Sequence, residues 1–272
     1  MDNLSDIRIK ESALTERIKA AGKLAVAFSG GTDSTYLVYK AHEVLGDNAL
    51  AITIRSQVLI EEDLQWTTDF CKQIGARQVI IDCDVFDSEQ FENNPPDRCY
   101  YCKKMDFYAI KKAAAEYGIT DVADGSNVDD EGDYRPGMRA MKELGIVSPL
   151  KEAGLTKNDI RMLSKEAGLP TWDKPAAACL ASRFAYGEKI TTEGLVRVAN
   201  AEKFIRDLGY KGIRVRVHGD IARIEVSPSD ISSLATEPMR EKITMELKRL
   251  GFKYVTLDLT GYRTGSMNEV LK

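Results

Sequence analysis

The chain reads as an α/β protein: a parallel sheet with helices on both faces, followed by a smaller C-terminal α+β domain. Three observations predict this. Short apolar runs alternate with helix-period segments through the first two thirds of the sequence, the pattern of successive βαβ units. A glycine turn, Ser29-Gly30-Gly31-Thr32-Asp33-Ser34, stands directly behind the first such run. Beyond Tyr186-Gly187 the pattern changes to short strands and longer helices. A boundary near 187–192 then divides the chain into domains 1–187 and 188–272.

Each element follows from its local pattern. Leu4, Ile7, Leu14 and Ile18 lie near helical spacing among charged residues, so residues 4–21 form a helix with one packed face. The run Leu24-Ala25-Val26-Ala27-Phe28 is of strand length, and 33–45 follows as a helix. Strand 49–54 precedes helix 61–74. Strand 78–82 precedes a loop and then a helix over 102–117, and 121–123 is a last short strand ending before Gly125. Residues 124–137 are too polar and glycine-rich for regular structure. They stand at a strand end, where sheets of this kind bind ligands, so a ligand-facing loop is expected. Thr156 and Asp159 signal the start of a helix over 157–167, and Gly168 with Pro170 its stop. The smaller domain reads as helix 193–208, strands 212–217 and 221–226, helix 238–250 and strand 254–259.

Composition narrows the function classes. A formal net charge of −4 over 272 residues disfavours a long polyanion such as nucleic acid as partner. The N-terminal Met-Asp-Asn-Leu-Ser-Asp lacks a basic and an apolar signal region, and no apolar run approaches a membrane span. Five cysteines, an odd number, argue against a disulfide framework. The expectation is a cytoplasmic protein without a membrane partner, whose cysteines serve as metal ligands, nucleophiles or core residues.

The glycine turn has the chemistry of a pyrophosphate cradle. Paired glycines let the backbone turn tightly and approach a ligand closely. Their amides and the first turn of the following helix aim donors and a positive dipole end at one spot. Ser29 and Ser34 add hydroxyls, and Asp33 adds an acid that could hold Mg²⁺. No Gly-Lys-Ser/Thr follows, so this is not the kinase-type P-loop. The bland alternative is a βα turn that binds nothing. The six residues resemble the SGGxDS loop of the PP-loop ATP pyrophosphatases, an adenine nucleotide alpha hydrolase-like fold. These enzymes cleave ATP between its α- and β-phosphates and adenylate a substrate. The resemblance implies ATP binding by Ser29, Gly30, Gly31, Asp33 and Ser34.

Cys99-Tyr100-Tyr101-Cys102 is a C-x₂-C pair at a helix start, and Cys179 is a third candidate. Two thiolates so spaced can hold one metal centre, with the helix N-terminus lowering their pKa. A zinc knuckle needs four ligands, and the histidines, His42 and His218, are poorly placed to complete one; Cys83 is the remaining candidate. A redox pair is a further alternative without the usual context. Three thiolates suit a [4Fe–4S] cluster with one open iron. Cys71 falls on a helix face with Leu64 and Ile74 and reads as core.

Longer blocks carry a second resemblance: Asp133-Tyr134-Arg135-Pro136-Gly137, Ser182-Arg183-Phe184-Ala185-Tyr186-Gly187, the run from Arg214 to Glu225, and Tyr254-Val255-Thr256-Leu257-Asp258-Leu259. With the glycine turn they resemble the LarE family of ATP-dependent sulfur transferases, which make a nickel-pincer cofactor. That resemblance implies adenylation of a pyridinium dicarboxylate mononucleotide and its conversion to a thiocarboxylate. Single-cysteine members give up their own sulfur from a position occupied here by Ala178. The chain instead looks like the three-cysteine members, with Cys99, Cys102 and Cys179 on a cluster and Cys179 catalytic beside Asp33, Ser182 and Arg183. Alternation places Arg214 and Arg216 on one strand face and Arg223 with Glu225 on one face of the next. Arginine forks suit phosphate or carboxylate. The resemblance assigns Arg214, Arg216 and Arg263 to the mononucleotide and implies a homo-oligomer of six chains. A tRNA-thiolating enzyme of the same superfamily, and a nucleotide-binding iron–sulfur or zinc sensor without activity, are the rival expectations.

Overall fold

The computed structural model describes residues 2–130, 136–175, 179–263 and 265–266. In chain order the elements are α1 (Asp2–Ala21), β1 (Leu24–Ala27), α2 (Thr32–Leu45), β2 (Ala49–Arg55), α3 (Glu61–Ile74) and β3 (Arg77–Asp82). Then come α4 (Glu89–Glu92), α5 (Arg98–Glu116), β4 (Val122–Ala123), α6 (Gly137–Glu143), α7 (Pro149–Glu152) and α8 (Lys157–Glu166). The rest is α9 (Thr192–Asp207), β5 (Arg214–His218), β6 (Ile221–Glu225), α10 (Ile231–Ala235), α11 (Met239–Arg249) and β7 (Tyr254–Leu257). They form two compact units: Met1–Val85 with Cys99–Ala177, and Phe86–Arg98 with Ala178–Lys272. The single boundary expected at 187/188 thus falls some ten residues earlier, and a short excursion, Phe86–Arg98, joins the C-terminal unit. Asn94 and Glu92 explain the excursion, since their carbonyls accept the amides of Gly187 and Ile190.

The first unit is built on a parallel sheet of order β3-β2-β1-β4, and Val147 extends it by a bridge to Ala123. Alternation along the central strands sorts their side chains into two cores. Leu24, Val26, Ala49 and Ala51 pack with Leu14 and Ile18 of α1, Leu37 of α2, Phe70 of α3 and Leu163 of α8. Ala25, Leu50 and Ile52 pack on the opposite face with Phe107, Ile110 and Ala114 of α5. Covered on both faces, β1 and β2 must be apolar at nearly every position, which is why they read as continuous runs. Strand order reverses at β1, with β2 on one side and β4 on the other. A crevice therefore opens beyond the carboxyl ends of β1 and β4.

The second unit holds the sheet β5-β6-β7. β5 and β6 are antiparallel, and β7 is parallel to β6 after the helical crossover through α10 and α11. Phe184 bridges to Val217 at the β5 edge. Val215, Val217, Ala222 and Ile224 are buried, with α9 packed on β5 and α11 on β7. The register Arg214↔Glu225 and Arg216↔Arg223 sets these four residues on the other face together.

Candidate active site

The glycine turn stands at the crevice of the first unit. Gly31 caps α2 in extended conformation and accepts the amide of Thr35. Gly30 has φ +73°, and a Cβ there would lie 3.0 Å from Thr67 Cγ2 and 3.2 Å from the Trp66 ring. Only glycine meets both conditions without strain. Ser34 Oγ accepts the Ser29 amide at 3.4 Å and stands 3.2 Å from Ser29 Oγ. Thr32 Oγ1 ties the turn down by donating to the Thr171 carbonyl at 2.8 Å. The loop after β4 closes against it, for a Cβ on Gly125 would meet the Ser34 amide nitrogen at 3.0 Å.

Asp33 points into this enclosure. Its Oδ2 receives Lys157 Nζ at 2.5 Å and its Oδ1 receives Asn127 Nδ2 at 3.5 Å. Burial pushes its pKa up, Lys157 opposes that, and the negative charge of Asp130 pushes it up again. A buried acid beside a like charge is favoured by a cation next to it, which fits a divalent ion on a polyphosphate. Lys174 donates to the Gly30 carbonyl at 3.1 Å, pairs with Asp63 at 3.0 Å and lies over the Trp66 ring. Neither lysine was legible in the sequence, because each reaches the turn from more than a hundred residues away.

Cys99 and Cys102 occupy the first turn of α5, Cys99 exposed and Cys102 half-buried, with Cys102 Sγ 3.8 Å from Asp106 Oδ2. None of the five cysteines forms a disulfide. Cys71 is buried in the core and its thiol is pushed up to about 12 by desolvation, so it is chemically inert at neutral pH. Cys179, exposed, belongs to the second unit. Among the described residues no group of three or more His, Cys, Asp and Glu side chains is gathered as a metal site. Ala178 and residues 133–135 lie outside the described residues.

In the second unit the arginines divide by partner. Arg183 is buried and gives Nε and Nη2 to the two oxygens of buried Glu202, both at 2.8 Å, while Nη1 donates to the Cys179 carbonyl and to Ser182 Oγ, both at 3.1 Å. Arg216, also buried, binds Glu225 through Nε and Nη2 and donates Nη1 to the Ser182 carbonyl at 2.9 Å. Arg223 links Glu225 to Asp258. Arg214 lies over the Tyr262 ring at 5.0 Å, its pKa lowered by burial and then by Arg183. Arg263 is half-buried beside Gly261. Arg183 and Arg216 thus brace the Cys179–Ser182 turn from within, and Arg214 is the more exposed cation of that face.

A parallel sheet with a serine–glycine–aspartate turn at its switch point defines a PP-loop enzyme that uses ATP, and a family model described as NAD synthase matches residues 7–120. Full-length similarity is more specific. The chain is 38% identical over 269 residues to pyridinium-3,5-bisthiocarboxylic acid mononucleotide synthase of Lactiplantibacillus plantarum, covering 98% of this chain and 97% of that one. It is 42% identical over 246 residues to an uncharacterized protein of Synechocystis sp. (90% and 92% covered). It is 33% identical over 258 residues to one of Methanocaldococcus jannaschii (95% and 97% covered). The chain belongs to the LarE family, that of pyridinium-3,5-bisthiocarboxylic acid mononucleotide synthase.

Proposed function

We propose that the protein adenylates a carboxylate of a pyridinium dicarboxylate mononucleotide and converts it to a thiocarboxylate for a nickel-pincer cofactor. The observation that carries this is the turn Ser29–Ser34, with Asp33 in the switch-point crevice, in a chain matching a synthase of that product over 98% of its length. The amides of the turn and Ser29 and Ser34 orient the polyphosphate. A carboxylate oxygen of the substrate attacks the α-phosphorus and pyrophosphate leaves. A sulfur nucleophile then attacks the acyl carbon and AMP leaves. Bound Mg²⁺ supplies charge neutralisation on the polyphosphate, with Asp33 as its holder. Arg214 and Arg263 meet the substrate phosphate, and Ser182 and Arg183 shape the wall around the reacting carboxylate; Arg216, first assigned to the phosphate, is spent on Glu225 and the Ser182 carbonyl and supports that wall from behind.

Cys99 and Cys102 fit an iron–sulfur centre in donor type and in their spacing on one helical turn, and Cys179 is the third thiol in this reading. A [4Fe–4S] cluster supplies an open iron site for sulfide. Protein purified without oxygen should carry about four irons and matching sulfide per chain. It should release AMP and pyrophosphate when given ATP and the dicarboxylate mononucleotide, and Asp33→Asn should abolish both. No pyrophosphate from the iron-loaded protein refutes the function. Full activity in a metal-stripped Cys99→Ala/Cys102→Ala/Cys179→Ala variant refutes the cluster. Homo-oligomerisation is part of the same reading. It is supported by Ile221 and Tyr254, paired across strands and exposed, and by Leu259, 86% exposed; sedimentation at a monomer mass refutes it.

A further inference from the structure

The strap from Cys179 to Ala185 carries three of the proposed transfer residues, Cys179, Ser182 and Arg183, yet it contains only a short 3₁₀ turn and one bridge residue, so its backbone needs partners elsewhere. It finds them in side chains of its own unit. Arg183 takes the Cys179 carbonyl and Arg216 the Ser182 carbonyl, each while paired to a buried glutamate. Three more carbonyls, those of Ala181, Phe184 and Ala185, go to the excursion Phe86–Arg98. Arg98 Nη1 donates to the Ala181 carbonyl at 3.2 Å and to Asn94 Oδ1. Asn94 Nδ2 donates to the Ala185 carbonyl at 2.7 Å and to that of Phe184 at 3.5 Å.

Arg98 differs from the other two arginines. It is 5% exposed, and among the described residues no carboxylate pairs with it. Asn94 is fully buried with φ +50°, a left-handed conformation that asparagine tolerates better than most residues. A buried guanidinium held on neutral oxygens is a poor stabiliser, since its desolvation is not offset by an opposite charge. An apolar residue there would serve packing better. What the pair does provide is a fixed position for consecutive strap carbonyls, drawn inward while Cys179 stays exposed and Ser182 half-exposed.

We infer that Arg98 and Asn94 are positioning residues for the sulfur-transfer step, holding the Cys179–Ala185 strap so that Cys179 and Ser182 keep one geometry toward the substrate. This rests on the function proposed above. The test uses the full chain carrying Arg98→Met, Arg98→Lys or Asn94→Gly, the last of which keeps the left-handed backbone and removes the amide. Hydrogen exchange is followed at Ser182, Phe184 and Gly187, whose amides are bonded within this cage. Arg98→Met should exchange there ~10-fold faster or more. Its kcat for thiocarboxylate formation should fall by about tenfold, with ATP affinity within about twofold of the parent. Arg98→Lys, whose single ammonium can still hold a carbonyl, should recover part of both. Parental exchange in Arg98→Met, or lost activity with the strap still protected, overturns the inference. Should Arg98→Met not fold, the same two measurements on Asn94→Gly and Arg98→Lys decide it. A parent protein that releases no pyrophosphate defeats the functional reading alone, because strap exchange still reports whether Arg98 holds the strap.

Discussion

Replacing Glu202 with glutamine should loosen the second unit and leave the first intact. Glu202 is 1% exposed and receives two nitrogens of Arg183 at 2.8 Å, with the Val215 amide on Oε1 at 3.0 Å. Glutamine keeps the volume but removes the charge, so Arg183 stays buried with no counter-ion and one acceptor becomes a donor. Breaking a buried pair from one side costs about 3–5 kcal/mol. Because the glutamine carbonyl still accepts one bond, the lower end applies, about 3 kcal/mol, or about 150-fold in the opening equilibrium. Tryptophan fluorescence is silent on this event, for Trp66 and Trp172 both belong to the first unit. The assay is hydrogen exchange over 214–218, where the Val215 amide reports directly. By contrast Asp207→Asn, which removes an exposed partner of Lys203, should change exchange by less than ~0.5 kcal/mol. The double variant Arg183→Met/Glu202→Gln removes both charges while keeping an acceptor for the Val215 amide, and should return to within about 1 kcal/mol of the parent. Exchange in Glu202→Gln raised by less than about fivefold, or a double variant as loose as the single, refutes the desolvation reasoning.

Three further outcomes concern the glycine turn and the cysteines. Gly30→Ala forces a left-handed alanine against Thr67 and Trp66, a strain of about 1–2 kcal/mol before any clash. ATP affinity by calorimetry should fall ~10-fold or more, and a change within twofold would remove the close-approach role of this glycine. In folded, iron-free protein at pH 8, iodoacetamide should modify Cys99 and Cys179, which are exposed, and spare Cys71 until unfolding. Peptide mass spectrometry showing early modification at Cys71 contradicts its burial. Asp33→Asn should abolish pyrophosphate release yet stabilise the apoprotein, because burial disfavours the charge that asparagine lacks.

The folded pKa of Asp33 is raised, chiefly by burial, so the folded state holds the proton more tightly than the unfolded chain. The stability from the protonated acid is present below the ordinary carboxylate value and is lost as pH rises through the folded value. Near neutrality the ionised Asp33 is a full destabilising element, and the asparagine variant should melt ~2 °C higher or more. The gap should close as pH falls below that window. A lower melting temperature for Asp33→Asn at pH 7 shows that the Lys157 pair outweighs burial.

Much of the architecture was legible because it rests on short-range patterns. β1 and β2 announced themselves as unbroken apolar runs, since α1, α2, α3, α5 and α8 cover both faces of the sheet. The capping box on α8 appeared as Thr156 and Asp159, and both its reciprocal bonds are present. Arg214, Arg216, Arg223 and Glu225 share a face as period-two alternation requires. The helix predicted over 102–117 runs from Arg98, because Arg98 and Cys99 carry no breaker and the cysteine pair itself forms the first turn. The division of the chain was harder to see. Phe86–Arg98 reads only as a loop, its Asn93-Asn94-Pro95-Pro96 run marking a turn without naming a partner, and its bonds to the strap draw it into the C-terminal unit.

By itself the sequence determined the class of fold, the glycine turn behind β1 and the position of the acid within it. Those properties reside in consecutive residues whose backbone freedom and hydrogen-bonding groups are intrinsic. Only the tertiary structure decided which arginines are spent on buried glutamates and which face outward, that Lys157 and Lys174 converge on the turn, and that Arg98 and Asn94 grip the strap of Cys179. A side chain's charge is written in the sequence, but its partner is set by how far burial strips its water and by what the fold brings within hydrogen-bond reach.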